Sequence, residues 1–227
     1  RSDISEMDEI SETRRSAVER RKWLSRLRRV VLKVGTQVLI DDTGRLEPEV
    51  FARLAREVSK IEEECGISFI VVTSGAIMAG RARVGLEADR DSIPVKQAMA
   101  AIGQPEVMRF YGEFFKHYGR IVGQILLTRD DLESRRRYLN ARHTIENLLK
   151  MKVIPIINEN DTVMVEEIKF GDNDNLSAMV TSLVDADLLL ILSDVEGLYD
   201  VDPAKDSNAK VIPFVEKVDE KVEALAG

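Results

Sequence analysis

Four short stretches hold the residue types that could do chemistry: "KVGT" (33–36), "TSGA" (73–76), "NEND" (158–161) and "SDVEGLY" (193–199). A fifth, "GDNDN" (171–175), follows the third by about a dozen residues and is as rich in carboxylates and amides. Carboxylates can receive an ammonium, while amides and backbone N–H groups can receive a carboxylate. Such a set suits a small charged substrate. Lys33 adds a cation between Leu32 and Val34 in an apolar run. An ammonium there needs an anionic partner or a shift toward its neutral form. A ligand phosphate is one such partner and a structural carboxylate is the other. Gly35 and Gly75 lie where a strand would turn into a helix, so the backbone can approach a ligand and a helix N-terminus can face an anion. Either glycine alone would be ordinary turn chemistry. The Asx cluster at 172–175 would supply a helix N-cap, but one cap does not require four such residues in a row.

Other chemistries find no support. The chain has neither a G-x-x-x-x-G-K-[ST] phosphate loop nor a G-x-G-x-x-G dinucleotide fingerprint, and no serine nucleophile elbow. His117 and His143 lack metal-ligand spacing and fall in helical patterns, so no protein-held metal site is expected.

The elements that must position these residues follow from periodicity. "RVVLKVG" (29–35) and "SFIVVTSGA" (68–76) read as buried strands that end in Gly turns. "RIVGQILLT" (120–128), "VIPIIN" (153–158) and "DLLLILSD" (187–194) read as further strands completing the core. Residues 48–65 show helical spacing behind Pro48, and helical patterns recur at about 94–101, 105–117 and 140–150, the last introduced by Asn140. "TVMVEEIKF" (162–170) alternates as a small hairpin would. Buried strands alternating with amphipathic helices predict an α/β fold, a mostly parallel sheet in one domain. In such sheets ligands bind at the carboxyl ends of the strands, where all the polar stretches fall.

The composition narrows the class. With 227 residues and 44% hydrophobic content the chain can bury a sizeable core. Its one cysteine, Cys65, rules out an internal disulfide and fits a reducing compartment. No apolar run approaches the roughly 20 residues of a membrane span, so a cytoplasmic protein with no membrane partner is expected. The net charge of −7 splits into +3 over residues 1–29 and −10 over the rest, which argues against nucleic acid as a partner. The basic segment "RRSAVERRKWLSRLRR" (14–29) reads as a solvated helix leaning a few apolar residues on the domain. "ESRRRYLNAR" (133–142) reads as a solvated helix face or a subunit contact.

Taken in order, "VVLKVGT", "VTSGAIMAGR", "KQAMAAIGQ", "QILLTRDD", "YLNARHTIENLL", "VIPIINENDTV", "GDNDNLSAMV" and "LSDVEGLYDVDP" resemble the bacterial glutamate 5-kinases of the amino-acid kinase superfamily. The likeness covers residues 29–227, and "NENDTV" with "GDNDNLSA" is its most specific part. It implies a three-layer α/β/α sandwich and transfer of phosphate from ATP, with Mg2+ on the nucleotide, to the γ-carboxylate of L-glutamate, the first step of proline synthesis. Residue by residue, it implies that Ser74, Asp161 and Asn173 contact glutamate, with Gly75 and Ala76 lining that side. Lys33 would be the phosphate-binding lysine, Gly35 and Thr36 its neighbouring loop, and Asp174 the aspartate that organises it. Ser193 and Asp194 would contact the nucleotide. The resemblance further implies a homo-oligomer, dimer or tetramer, and feedback inhibition by proline. By the same comparison, residues 1–28 form a charged extension, helical or partly disordered, ahead of a kinase domain at 29–227. That domain would lack its last part, a Gly-rich loop and a second lysine. Two other readings stay open: a different kinase on the same scaffold, or a glutamate- or proline-binding regulatory module without catalysis.

Overall fold

A computed structural model describes residues 22–85, 92–163, 173–206 and 208–225. The chain divides into two compact units, one ending at Leu192 and one spanning Ser193–Gly227.

The first unit is built on five strands, β1 (Arg29–Val34), β2 (Ser68–Val72), β3 (Ile121–Leu127), β4 (Val153–Glu159) and β5 (Leu188–Leu192), in the order β3-β4-β2-β1-β5 with every pair parallel. The predicted parallel α/β sheet is therefore present. Alternate side chains go to opposite faces of a strand. Val30, Leu32, Val34, Phe69, Val71, Ile154 and Ile156 build one apolar layer, and Val31, Ile70, Val72 and Ile157 the other. The edge strand β5 is less buried than its sequence implies. Leu188, Leu189 and Leu192 lean on the core, whereas Leu190 and Ile191 are each 44% exposed.

Helices cover both faces. Around the sheet run α1 (Thr36–Leu39), α2 (Pro48–Cys65), α3 (Ala76–Val84), α4 (Ile93–Lys116), α5 (Arg129–Glu133), α6 (Arg135–Lys150) and α7 (Asn173–Leu183). Phe51 of α2 meets Tyr111 of α4 edge-on at 4.8 Å between ring centroids, a geometry worth about 0.5–1.5 kcal/mol beyond its burial. On the opposite face Ile145 of α6 and Leu176, Val180 and Leu183 of α7 complete the second layer.

Several expectations are corrected. Residues 94–101 and 105–117 form one helix, α4, with Pro105 inside it. Proline removes one backbone hydrogen bond there, but the buried stripe Met99, Gly103, Val107, Tyr111, Phe115 passes through it unbroken and holds the two halves in line. α6 begins five residues before Asn140, because its first turns are polar and exposed and so carry no apolar periodicity. α3 is the helix expected after the Gly75 turn, but its extent carried no periodic signal, since it lacks a one-sided apolar face and contains Gly80. Of the expected hairpin, Asp161–Val163 is a 3-10 turn and residues 164–172 lie outside the described residues. Of the basic N-terminal segment only residues 22–29 are described. Trp23 and Leu24 are exposed, and Leu27 packs on the core.

The glycines of α3 and α4 explain how α3 is held. A Cβ on Gly80 would overlap the Met99 carbonyl, and one on Gly103 would overlap the Ala76 carbonyl. The two helices touch backbone to backbone. Gly103→Ala is therefore expected to destabilise the fold at the upper end of the roughly 1–3 kcal/mol typical of overpacking. A lower urea midpoint at unchanged m would show it. An unchanged midpoint would mean that the helices separate freely.

The second unit carries an antiparallel bridge between Tyr199 and Val211 and a short helix, α8 (Glu220–Leu225). Among the described residues no helix is long and apolar enough to cross a membrane.

Candidate active site

The β alternation decides where Lys33 points. It shares a face with Val31, the face that α7 covers, and α7 opens with Asn173 and Asp174. Lys33 Nζ accordingly lies 2.6 Å from Asp174 Oδ1. The lysine is 4% exposed, whereas the Asp174 side chain is 48% exposed. Of the two partners the sequence left open, the protein itself supplies a carboxylate. Asp174 also sits in the first turn of α7, where a negative charge complements the helix dipole. Gly35 caps α1 and donates its N–H to Leu192 O (3.1 Å), and a Cβ built on it would lie 3.6 Å from Lys33 Nζ. The glycine loop thus arches over the ammonium.

Beside this pair is a cavity of about 180 Å3 at the carboxyl ends of β1, β2 and β4. Ser74, Gly75, Ala76, Asp161 and Asn173, all expected on the substrate side, line it together with Thr36. Four further lining residues, Ile77, Met78, Asn158 and Glu159, were not assigned from the sequence. Asn158 and Glu159 were legible as part of the "NEND" cluster. Ile77 and Met78 carried no signal of their own, because α3 has no one-sided apolar face. Gly75 adopts φ +90°, a left-handed conformation that glycine reaches without strain, and this turns the chain from β2 into α3. Asn173 Nδ2 lies within hydrogen-bond distance of Thr73 O (2.6 Å), Ser74 Oγ (2.7 Å) and Asn158 Oδ1 (3.0 Å), which ties α7 to the ends of β2 and β4.

Two carboxylates make the cavity an acceptor for cations. Burial pushes the Asp161 carboxyl up to about 6, and the neighbouring Glu159 charge adds to the effect. Ser193 and Asp194 open the second unit, where Ser193 Oγ donates to Asp194 Oδ1 (3.1 Å). The cavity itself is formed by the first unit alone. Larger hollows exist elsewhere. One of about 330 Å3 is lined by Arg45, Arg83, Glu106 and Phe110, and one of about 610 Å3 by Glu62, Arg120 and Lys152. The second lies at the amino ends of β2 and β4, the wrong end for ligands in this architecture. Among the described residues no group of three or more His, Cys, Asp or Glu side chains is placed to hold a metal ion.

A parallel sheet between helix layers, with a lysine–aspartate pair beside a polar cavity at its carboxyl edge, defines an α/β protein with its cavity where ligands bind in this class of sheet. The model of the amino acid kinase family matches residues 28–224, and the chain belongs to that family. It is 52% identical over 204 residues to the glutamate 5-kinase of Geobacter metallireducens, covering 90% of this chain and 54% of that protein. It is 50% identical over 199 residues to the glutamate 5-kinase of Caldanaerobacter subterraneus, covering 88% and 53%. The chain thus spans about half the length of the curated relatives it matches. A UMP kinase from Ureaplasma parvum shares the fold, with a TM-score of 0.54 at 16% identity over 88% of this chain and 86% of that one.

Proposed function

We propose that this chain carries out ATP-dependent phosphorylation of the γ-carboxylate of L-glutamate, the first step of proline biosynthesis. The observation that carries the proposal is the convergence of Ser74, Asp161 and Asn173 on one small cavity, next to a buried Lys33 held by Asp174. In this reading the cavity takes the amino acid. Lys33, with the Gly35–Thr36 turn, faces the phosphates of ATP, and Ser193 and Asp194 contact the nucleotide. A γ-carboxylate, with a pKa near ~4.3, is ionised at neutral pH and attacks the γ-phosphorus without a general base. The new bond is carboxylate oxygen to phosphorus, and the bond that breaks joins that phosphorus to the β–γ bridging oxygen, releasing ADP. What the transfer asks of the protein is alignment of two anions and relief of their repulsion. Lys33 supplies positive charge at the transferring group, and Asp174 keeps the ammonium aimed. Mg2+ on the nucleotide phosphates would offset further charge. Inhibition by proline, assembly as a dimer or tetramer and a cytoplasmic location belong to the same proposal.

A coupled ADP-release assay with glutamate, aspartate, acetylglutamate and UMP tests it. Glutamate is expected to exceed each of the others by at least about a hundredfold in kcat/KM, roughly 2.7 kcal/mol of transition-state discrimination. Comparable rates with another acceptor would assign a different kinase of the same fold. Calorimetric binding of glutamate without ADP release would assign a sensor instead.

A further inference from the structure

Behind the cavity runs a chain of four side-chain amides whose direction is set by two main-chain groups. The N–H of Glu159 can only donate, and it donates to Asn158 Oδ1 (2.9 Å). The carbonyl of Thr73 can only accept, and it accepts from Asn173 Nδ2 (2.6 Å). Both anchors demand the same sense at the contact between them, where Asn173 Nδ2 donates to Asn158 Oδ1 (3.0 Å). Asn158 must therefore turn its Nδ2 the other way, where it donates to Gln104 Oε1 (2.8 Å). Gln104 Nε2 in turn donates to Gln124 Oε1 (3.0 Å). The relay passes from α7 through β4 and α4 to β3. Its two middle members are nearly sealed from water, Asn158 at 2% and Gln104 at 8% exposure.

This direction has a consequence for the ligand. Three acceptors, Thr73 O, Ser74 Oγ and Asn158 Oδ1, share the two protons of Asn173 Nδ2, so the atom of this amide left for a ligand is Oδ1, an acceptor. Ser74 Oγ lies 2.7 Å from Asn173 Nδ2, an atom that cannot accept, so the hydroxyl's own proton is left to donate elsewhere. We infer that Gln104 and Asn158 are positioning residues that lock the cradle's polarity. Asn173 Oδ1, with the carboxylates of Asp161 and Glu159, receives an α-ammonium, and the Ser74 hydroxyl donates to a carboxylate. The identity of the ligand rests on the glutamate reading above, whereas the direction of the relay does not. The device selects an amino acid over the corresponding dicarboxylate. A reversed relay would offer N–H groups to the ammonium and repel it.

The test compares three ligands by calorimetry on the full chain: glutamate, glutarate (no ammonium) and 4-aminobutyrate (no α-carboxylate). Gln104→Met removes the acceptor for Asn158, while Gln104→Glu keeps an oxygen in its place. Gln104→Met is expected to weaken glutamate and 4-aminobutyrate about tenfold and to change glutarate less than about twofold. Gln104→Glu is expected to stay within about threefold of the parent for all three. Equal weakening for all three ligands, or none, overturns the inference. A second measurement needs neither ligand nor variant. The Nδ2 protons of Asn173, followed by NMR in the parent protein, are expected to exchange slowly with solvent, and exchange at the rate of a free amide also overturns it. Failure of the parent to bind glutamate, with Asn173 still protected, would count against the proposed substrate and leave the relay standing.

Discussion

Lys33→Met is expected to lower kcat about a thousandfold, roughly 4 kcal/mol of transition-state stabilisation, while the Kd for glutamate stays within about threefold. The reason is placement. Lys33 is buried beside the cavity rather than in its lining, and its ammonium is 2.6 Å from Asp174. A cation so placed can act on the phosphoryl group without touching the acceptor's ammonium end. Steady-state kinetics together with calorimetry separate the two effects. Parallel loss of turnover and glutamate affinity, or no loss, would sink the phosphate role. The partner substitution should differ in stability. Lys33→Met leaves Asp174 half exposed, where water can solvate it. Asp174→Asn takes a carboxylate away from a lysine that is 4% exposed. The second is expected to be the more destabilising in urea titration, by less than the roughly 3–5 kcal/mol seen when a fully buried pair is broken.

Asp161→Asn should weaken glutamate binding about a hundredfold, yet make the ligand-free protein more stable at neutral pH. Burial, with Glu159 nearby, raises the Asp161 carboxyl from 3.8 unfolded to about 6 folded. The folded state therefore favours the protonated form. Below the unfolded value there is no penalty. As pH rises through about 6 the ionised carboxylate becomes a liability, on the order of 2–3 kcal/mol once fully charged. Thermal melts of parent and variant should coincide near pH 4 and diverge through pH 6, with the variant higher. Glutamate affinity of the parent should fall as pH drops through the same range, because the ammonium then meets a neutral acid. A variant that melts below the parent at pH 7, or that keeps its affinity, would remove Asp161 from the cradle.

Both predictions concern residues visible in the sequence, and the reason they were visible is local. Strands covered on both faces leave uninterrupted apolar runs, so β1, β2 and β4 could be read directly, as could α2 between Pro48 and the left-handed Gly66. The polar stretches stood out because they interrupt those runs at strand ends. α3 did not stand out. Only its start, at the Gly75 turn, was readable; its interior glycine and even hydropathy hide its extent, and backbone contact with α4 holds it in place. α4 read as two helices and folds as one, because the local cost of Pro105 is outweighed by the packing of Tyr111 and Phe115 beyond it.

The sequence by itself determined the parallel α/β architecture, the polar stretches at the strand ends and several of the residues that line one cavity there. Pairing was decided only by the tertiary structure. Asp174 was legible as a cap and emerged as the partner of Lys33. Gln104 carried no signal and emerged as the support for Asn158, 54 positions away, while Asn173 meets Thr73 across 100. Periodicity and turn chemistry act over a few residues and so can be read along the chain. Which end of an amide faces a ligand depends on donors and acceptors that only folding brings within 3 Å.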